Sequence, residues 1–401
     1  MAAAADALVG PTPVPRKYLR FFLMHRGFLI VVAGILAGGW WMWLGFIANT
    51  LISIAKQGRE DLSVDEYEHP WILNADLFLG LPMVLLLLFS FAWMLGGPGT
   101  DLLGFGAFVQ SAIGYDIFAA RAATHGLQLL GGTLSVGLAL GAGIIIGHEL
   151  THRTHGFWSM LVGRWLLAAP ADAAFAIEHV YGHHVYVCTP KDPATARRGH
   201  NIYAFILRSI AMGNVSGWRI ERERLHKLGH ATLSWRNRMI RGYLMTLAYA
   251  AFFAYAAGWL GVLLYLGAAL FGKAALERIN YVEHYGLVRV PVEPVMPRHS
   301  WNSNHGAAPM FNLSRHSHHH HDASVPFQNL QPMNDQPEMP FGYTKMSYAC
   351  LVPPLWRRMI VPKLIEWDRH YASAAERELA REANLRSGIP ELEELARAEQ
   401  A

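Results

Sequence analysis

The run Leu129 to Gly147 carries no charged side chain and leads straight into His148. A helix needs about 20 apolar residues to cross the hydrocarbon core of a bilayer, so this stretch reads as a membrane span. Tyr18 to Ile54 exceeds one crossing and contains the pair Gly38-Gly39. It is either one long span or a tight helical hairpin. A polar, acidic loop follows from Gly58 to His69, and then a span from Ile72 to Leu95. Leu102 to Ala122 is weaker, with Gln110 and Asp116 inside it, and reads as a span or an interfacial segment. Gly156 to Ala171 is too short to cross and reads as interfacial or re-entrant. Gly242 to Ile279 is too long for one span, and Gly258-Trp259-Leu260-Gly261 divides it into an antiparallel hairpin.

Composition supports a membrane chain. Only 16% of the 401 residues are charged, against about 25% in soluble domains. The 13 tryptophans and 37 glycines suit interfaces and close helix packing. Cys188 and Cys350 form no CxxC pair, which argues against thiolate metal sites and a disulfide framework. Met1 to Pro15 lacks the apolar stretch of a cleavable signal.

Charge sets the expected orientation. Arg16, Lys17, Arg20 and Arg26 flank the first apolar run. Residues 185–241 carry Lys191, Arg197, Arg198, Arg208, Arg219, Arg222, Arg224, Lys227, Arg236, Arg238 and Arg241. The positive-inside rule places both in the cytoplasm. The expected fold is all-α with six transmembrane helices. Residues 1–17 form a disordered cytosolic tail and residues 18–147 make four crossings. Residues 148–241 are cytoplasmic or interfacial, and 242–279 make a hairpin of two more crossings. Residues 280–401 form a cytoplasmic cap ending in two helix-compatible segments, Ala372 to Arg386 and Glu391 to Gln400. Nucleic acid is not an expected partner.

The chemistry lies in the 21 histidines. Box one is His148-Glu149-Leu150-Thr151-His152, where positions i and i+4 share a helix face. Box two is Glu178-His179-Val180-Tyr181-Gly182-His183-His184. His179 and His183 share a face there, and His184 sits one step round, able to reach a second metal. Box three is His316-Ser317-His318-His319-His320-His321, with His316, His319 and His320 at i, i+3 and i+4. A fourth cluster, Asn280 to Leu287, offers His284 at the end of the last span. The topology brings all four to one membrane face. Imidazole suits iron, zinc and copper alike, so ligand type alone does not select the metal. His155, His299, His305, His318 and His321 read as second-sphere or surface residues. Glu149, Glu178, Asp192, Glu283 and Asp322 are candidate carboxylates to orient the ligand imidazoles.

At these residues the chain resembles the alkane 1-monooxygenase family and its sister, the hydroxylase component of xylene monooxygenase, within the membrane desaturase/hydroxylase superfamily. The matching stretches are GHELTHR, IEHVYGHH followed by TPKDPATA, NYVEHYGLVR, HSWNSNH and SRHSHHHHD, within residues 147–322. The resemblance implies two iron ions held by His148, His152, His179, His183, His184, His284, His316, His319 and His320. It implies hydroxylation of a methyl group with O2, electrons from a rubredoxin or a ferredoxin-type reductase, and a place in a bacterial inner membrane.

Residues 330–340, Pro353 to Trp356 and Trp367 to Ala372 resemble the xylene enzyme, whereas IEHVYGHH and HSWNSNH resemble the alkane enzymes. Segment 102–122 is an insertion relative to both. Alkane and alkylaromatic substrates therefore both stay open. An apolar substrate entering from lipid would pass between Leu129–Gly147 and Gly242–Ile279. Trp40, Trp41, Trp43 and Phe46 either line that route or anchor at the interface.

Three rivals remain. A lipid desaturase shares the scaffold and differs in product. A zinc protease built on His148, Glu149 and His152 leaves most of the histidines unused. A histidine-rich metal transporter would place its site near the bilayer midplane.

Overall fold

The computed structural model describes residues 14–55, 60–306, 308–333 and 335–399. It is all-helical, and its described residues contain three helices long and apolar enough to cross a membrane: α4 (Pro70–Leu95), α7 (Leu127–His152) and α12 (Arg238–His284). Residues 1–13 of the expected tail lie outside the described residues. The rest of it, expected to be disordered, belongs to a short helix, α1 (Val14–Leu19). Lys17 donates to the Glu66 carbonyl there.

The first apolar run is a hairpin. α2 (Leu23–Ala37) ends at Gly38, whose φ of 68° is open to glycine but costly for other residues. A 3-10 turn, Gly39–Trp43, leads into α3 (Leu44–Ala55). Gly34 is the contact point, since a Cβ there would lie 2.7 Å from the Trp41 carbonyl. Both ends of the hairpin lie at one end of the bundle. Arg20, before α2, pairs with Asp61 at 3.0 Å and Asp65 at 2.9 Å, after α3.

Segment 102–122 is not one continuous helix. It breaks into a 3-10 turn, α5 (Phe105–Ile113) and α6 (Ile117–Ala122), each far short of ~20 residues. Gly104 and Gly114 interrupt it at positive φ. Asp101 accepts from the Trp93 indole at 2.8 Å, and Tyr115 donates to the Ala37 carbonyl at 2.7 Å. The segment therefore closes the end of the bundle opposite the Arg20 cluster.

The α12 run turns at Gly258, where φ is 62°. Phe253 and Tyr265 stack at 4.8 Å across the turn. Twelve residues of straight helix would hold them ~18 Å apart, so the two limbs fold back as an antiparallel pair. The C-terminal limb packs closely on α7. A Cβ at Gly137 would lie 2.7 Å from the Ala268 carbonyl, and one at Gly272 would lie 2.7 Å from the Gly137 carbonyl. Small residues permit this backbone approach. Between α2 and α4, His25 Nε2 sits 2.6 Å from a buried Asp76 carboxylate.

After α7, the short helix α8 (Phe157–Ala168) packs back on its last turns, with Gly163 meeting Leu150 and Thr151. α9 (Phe175–Glu178), a π turn (His179–His183) and α10 (His184–Tyr186) follow. The basic region is largely one helix, α11 (Ile202–Lys227).

The cap carries α13 (His316–His321), α14 (Tyr343–Ala349), α15 (Pro353–His370), α16 (Ala374–Leu385) and α17 (Pro390–Ala398). Trp301, Trp356, Trp367, Tyr281 and Tyr285 form its core. Tyr281 in the last turn of α12 and Tyr285 just past its end both pack on Trp356, so the helix that bears His284 is held by the cap as well as the bundle. Arg198 ties the far end down. It binds the Gly286 carbonyl, Asp368 and Asn384.

The α7–α12 contact generates a prediction. Gly272→Val overpacks a backbone contact and lowers the thermal midpoint in detergent, at a cost of ~1–3 kcal/mol. Gly267→Ala, whose nearest neighbour would be 3.4 Å away, leaves the midpoint unchanged.

Candidate metal centre

Four chain segments bring nine imidazoles to one end of the bundle. His148 and His152 occupy the last turn of α7, and His284 ends α12. His179, His183 and His184 come from the π turn and its exit, and α13 supplies His316, His319 and His320. The C-terminal turns of α7 and α12 carry partial negative charge, which favours a cation there.

The rings sort into two groups. One contains His148, His152, His179, His184 and His319; the other contains His183, His284, His316 and His320. Within each group the facing atoms lie within 4.8 Å of one another. His184 and His320 stack at 4.2 Å and so join the two groups.

The partition corrects an expectation for box two. His179 and His183 do not share a group; His179 pairs with His184 instead. The cause is local geometry. A π turn bonds i to i+5 rather than i+4, so residues five apart align and His183 is rotated towards the second group. Box three also divides, with His319 facing the first group and His316 and His320 the second.

The nitrogens show what they lack. Nε2 atoms face each other at 3.1 Å for His148–His319, His179–His152 and His184–His179, and at 3.2 Å for His152–His148 and His284–His316. A neutral imidazole has one N–H, so a mutually facing set cannot satisfy every lone pair. His183 Nε2 and both ring nitrogens of His320 are buried with no partner. Burial, reinforced by the neighbouring imidazoles, holds His179, His184, His316, His319 and His320 well below the usual imidazole range. These rings are neutral at pH 7 and present bare lone pairs. Metal–imidazole bonds of ~2.1 Å at right angles place neighbouring nitrogens ~3 Å apart, which matches the observed spacing. The donor set fits two metal ions.

Outer contacts fix two tautomers. His183 Nδ1 donates to Asp192 at 2.9 Å, and Asp192 also accepts from Thr195 at 2.5 Å. Burial opposes protonation of His183, but Asp192 outweighs it and raises the His183 pKa. His284 Nδ1 donates to the His299 carbonyl at 3.1 Å. Both rings then offer Nε2 to the cluster.

The other expected carboxylates differ in placement. Glu283 lies 3.3 Å from His316 Nε2. Glu149 lies 3.4 Å from His148 Nδ1, which has no hydrogen-bond partner. Glu178 lines a small cavity with His179, His183, Lys273 and Glu277, and one of its oxygens has no partner. Asp322 is not brought in. It is exposed and bonds Ser324. His155, His305, His318 and His321 fall outside both groups.

The sequence reading missed the His299 carbonyl, which has no side-chain signature. It also missed Phe175, whose ring stacks on His179 at 4.4 Å. A phenylalanine one turn before His179 was the available signal.

Two adjoining sets of bare imidazole nitrogens, at one end of an apolar bundle, mark a multi-pass membrane protein with a two-metal site. The fatty acid desaturase family model matches residues 124–349, more than half of the chain, and the chain belongs to that family. It is 41% identical over 268 residues to alkane 1-monooxygenase 1 of Pseudomonas aeruginosa, covering 65% of this chain and 69% of that one. It is 41% identical over 243 residues to alkane 1-monooxygenase 2 of the same organism, covering 59% and 64%. It is 31% identical to the xylene/toluene monooxygenase hydroxylase component of Pseudomonas putida over 381 residues, covering 93% and 96%. The chain is an enzyme homologous to the alkane 1-monooxygenases.

The partition predicts how ligand loss is distributed. His152→Ala and His184→Ala weaken the same one of two metal equivalents, and the double variant loses no second equivalent. His183→Ala weakens the other. Elemental analysis of the three purified variants and the double variant checks this. Loss of separate equivalents by the first two would contradict the π-turn assignment.

Proposed function

We propose that this chain is a membrane-bound di-iron monooxygenase that hydroxylates the terminal methyl group of an alkane. The nine grouped histidines are the iron ligands. The observation that carries the reading is an apolar cavity beside the second histidine group. It has a volume of about 410 Å³. Its walls include Phe28 and Val31 of α2, Ala142 and Ile145 of α7, and Leu276 and Ile279 of α12. Tyr343 also lines it, and the Tyr343 ring lies 6.4 Å from that of His316.

The walls expected of a substrate route are thus present in part, since α7 and α12 contribute. α2, α3 and the cap, through Leu313, Tyr343 and Ser347, supply the rest. Trp40, Trp41, Trp43 and Phe46 do not line the cavity. Trp40 and Trp41 are exposed, and Trp43 donates to the Leu127 carbonyl at 3.0 Å, which suits interfacial anchors.

Iron, when bound, supplies the redox chemistry that reduces O2 with two electrons and two protons, yielding an alcohol and water. The chain's own contribution is geometric. Nine rings hold the cations, while Asp192 and the His299 carbonyl keep two of those rings in one tautomer. The cavity walls exclude water and aim a methyl group at the histidines. An acidic electron carrier fits the face near Tyr181, which the π turn leaves half exposed. Arg238, which also pairs with Glu221 at 2.8 Å, stands over that ring at 5.1 Å, and Arg236 on the loop just before it is exposed. A rubredoxin or ferredoxin-type donor has that charge complementarity.

Counting each limb of the two hairpins together with α4 and α7 gives six crossings, of which α2 and α3, at 15 and 12 residues, are shorter than a full span. Both termini and the histidines then lie on the cytoplasmic side by the positive-inside rule. A second reading, oxidation of a methyl group on an aromatic ring, is favoured by the full-length match to the xylene/toluene component.

Whole cells given octane, hexadecane and xylene, with products identified by mass spectrometry, test the proposal. Primary alcohols from the alkanes are expected, and His319→Ala abolishes product and weakens the one iron equivalent held by the first histidine group. An unsaturated product would instead indicate a desaturase. Ala142→Phe, which narrows the cavity, lowers hexadecane turnover at least tenfold, ~1.4 kcal/mol in the barrier, while iron content is unchanged.

A further inference from the structure

His284 depends on a residue that itself hangs from the C-terminal helices. His299 ends a 3-10 turn, Pro297–His299, and its side chain is fully buried. Both ring nitrogens are tethered. Nδ1 accepts from the Met296 amide at 2.9 Å, so the proton resides on Nε2. That Nε2–H donates to Glu376 at 2.6 Å. Two anchors fix the ring, and through it the direction of the residue's carbonyl. This carbonyl is the oxygen that accepts from His284 Nδ1 at 3.1 Å and from the Cys188 thiol at 3.0 Å.

Glu376 is built for the task. It sits in the first turn of α16 and is fully buried. Besides His299 it accepts from Arg298 Nε at 2.7 Å and from the Ser373 amide at 2.8 Å. A buried carboxylate is costly unless its oxygens are filled, and here both are. Arg298 immediately precedes His299, so the carboxylate grips two consecutive residues of the loop. The neighbouring indole of Trp367 donates to the Arg298 carbonyl at 2.7 Å. Glu376, Ser373 and Trp367 lie beyond the 124–349 segment matched by the family model, whereas Arg298 and His299 lie within it.

We propose that Glu376 is a positioning residue for the four-histidine group, acting through His299 to hold His284 in its metal-binding orientation. The C-terminal helices are then part of the metal site rather than an appendage to it. The proposal rests on the reading of that group as a metal site.

The full-length apoprotein in detergent, titrated with cobalt(II) and followed by its visible absorption, tests it. The wild type binds two equivalents. Glu376→Ala weakens one equivalent by roughly 10–100-fold, the usual effect of losing an outer partner of a ligand, and leaves the other unchanged. His299→Gln weakens the same equivalent, and the double variant is no worse than the more affected single one, because both act through one chain of contacts. Glu382→Gln, exposed on the same helix and paired only with Arg386, binds as the wild type does. If Glu376→Ala fails to fold, by helical content and gel filtration, the isosteric Glu376→Gln and His299→Gln carry the test. Wild-type affinity at both sites in these variants, or equal weakening of both, overturns the proposal. A wild type that binds fewer than two equivalents overturns the metal reading instead.

Discussion

Lone pairs without partners dictate the architecture. Nine buried or half-buried imidazoles converge in a space where no protein donor serves them all, and such a set has nothing to gain from convergence without cations. The scaffold must therefore impose it. Two long apolar helices end at the site, a π turn and its exit supply three rings, and a cap brings three more on a single short helix. Each support is itself pinned. α7 and the last limb of α12 touch backbone to backbone, and the cap aromatic core grips α12 from the outside.

This explains why the NYVEHYG and HSWNSNH stretches carry so much information. In the first, Tyr281 and Tyr285 pack into the cap while Glu283 and His284 turn to the site. In the second, Trp301 donates to the Tyr285 carbonyl at 2.9 Å, and Asn302 and Asn304 hold Glu338. Only backbone and outer contacts come from HSWNSNH, and none of its side chains belongs to either histidine group. The chain is similar to alkane 1-monooxygenase 1 at 41% identity and to the xylene/toluene component along nearly its whole length.

Much of this was legible in the sequence, because apolar length and histidine spacing are local signals. The apolar runs and the Gly258 turn follow from composition and glycine placement. The ambiguity over Tyr18 to Ile54 and Leu102 to Ala122 required tertiary contacts, namely Arg20 with Asp61 and Asp65, and Tyr115 with the Ala37 carbonyl. The sharing of histidines between groups was misjudged. An α-helical period was applied where the chain adopts a π turn, and no residue type announces one. The role of the His299 carbonyl was invisible because backbone atoms leave no pattern. Asp322 was an understandable error, since adjacency in sequence to His321 does not place a side chain on the inner face of a six-residue helix.

The π turn has an evolutionary corollary. It is an ordinary helix lengthened by one residue, so what matters between His179 and His183 is the number of residues as much as their kind. Substitution at Val180 leaves the wiring intact. Deletion of a single residue there would restore regular winding and exchange the allegiance of two rings. The length of this stretch is therefore fixed along with its histidines and Gly182, where a Cβ would lie 2.7 Å from Glu178 Oε1, while Val180 can change.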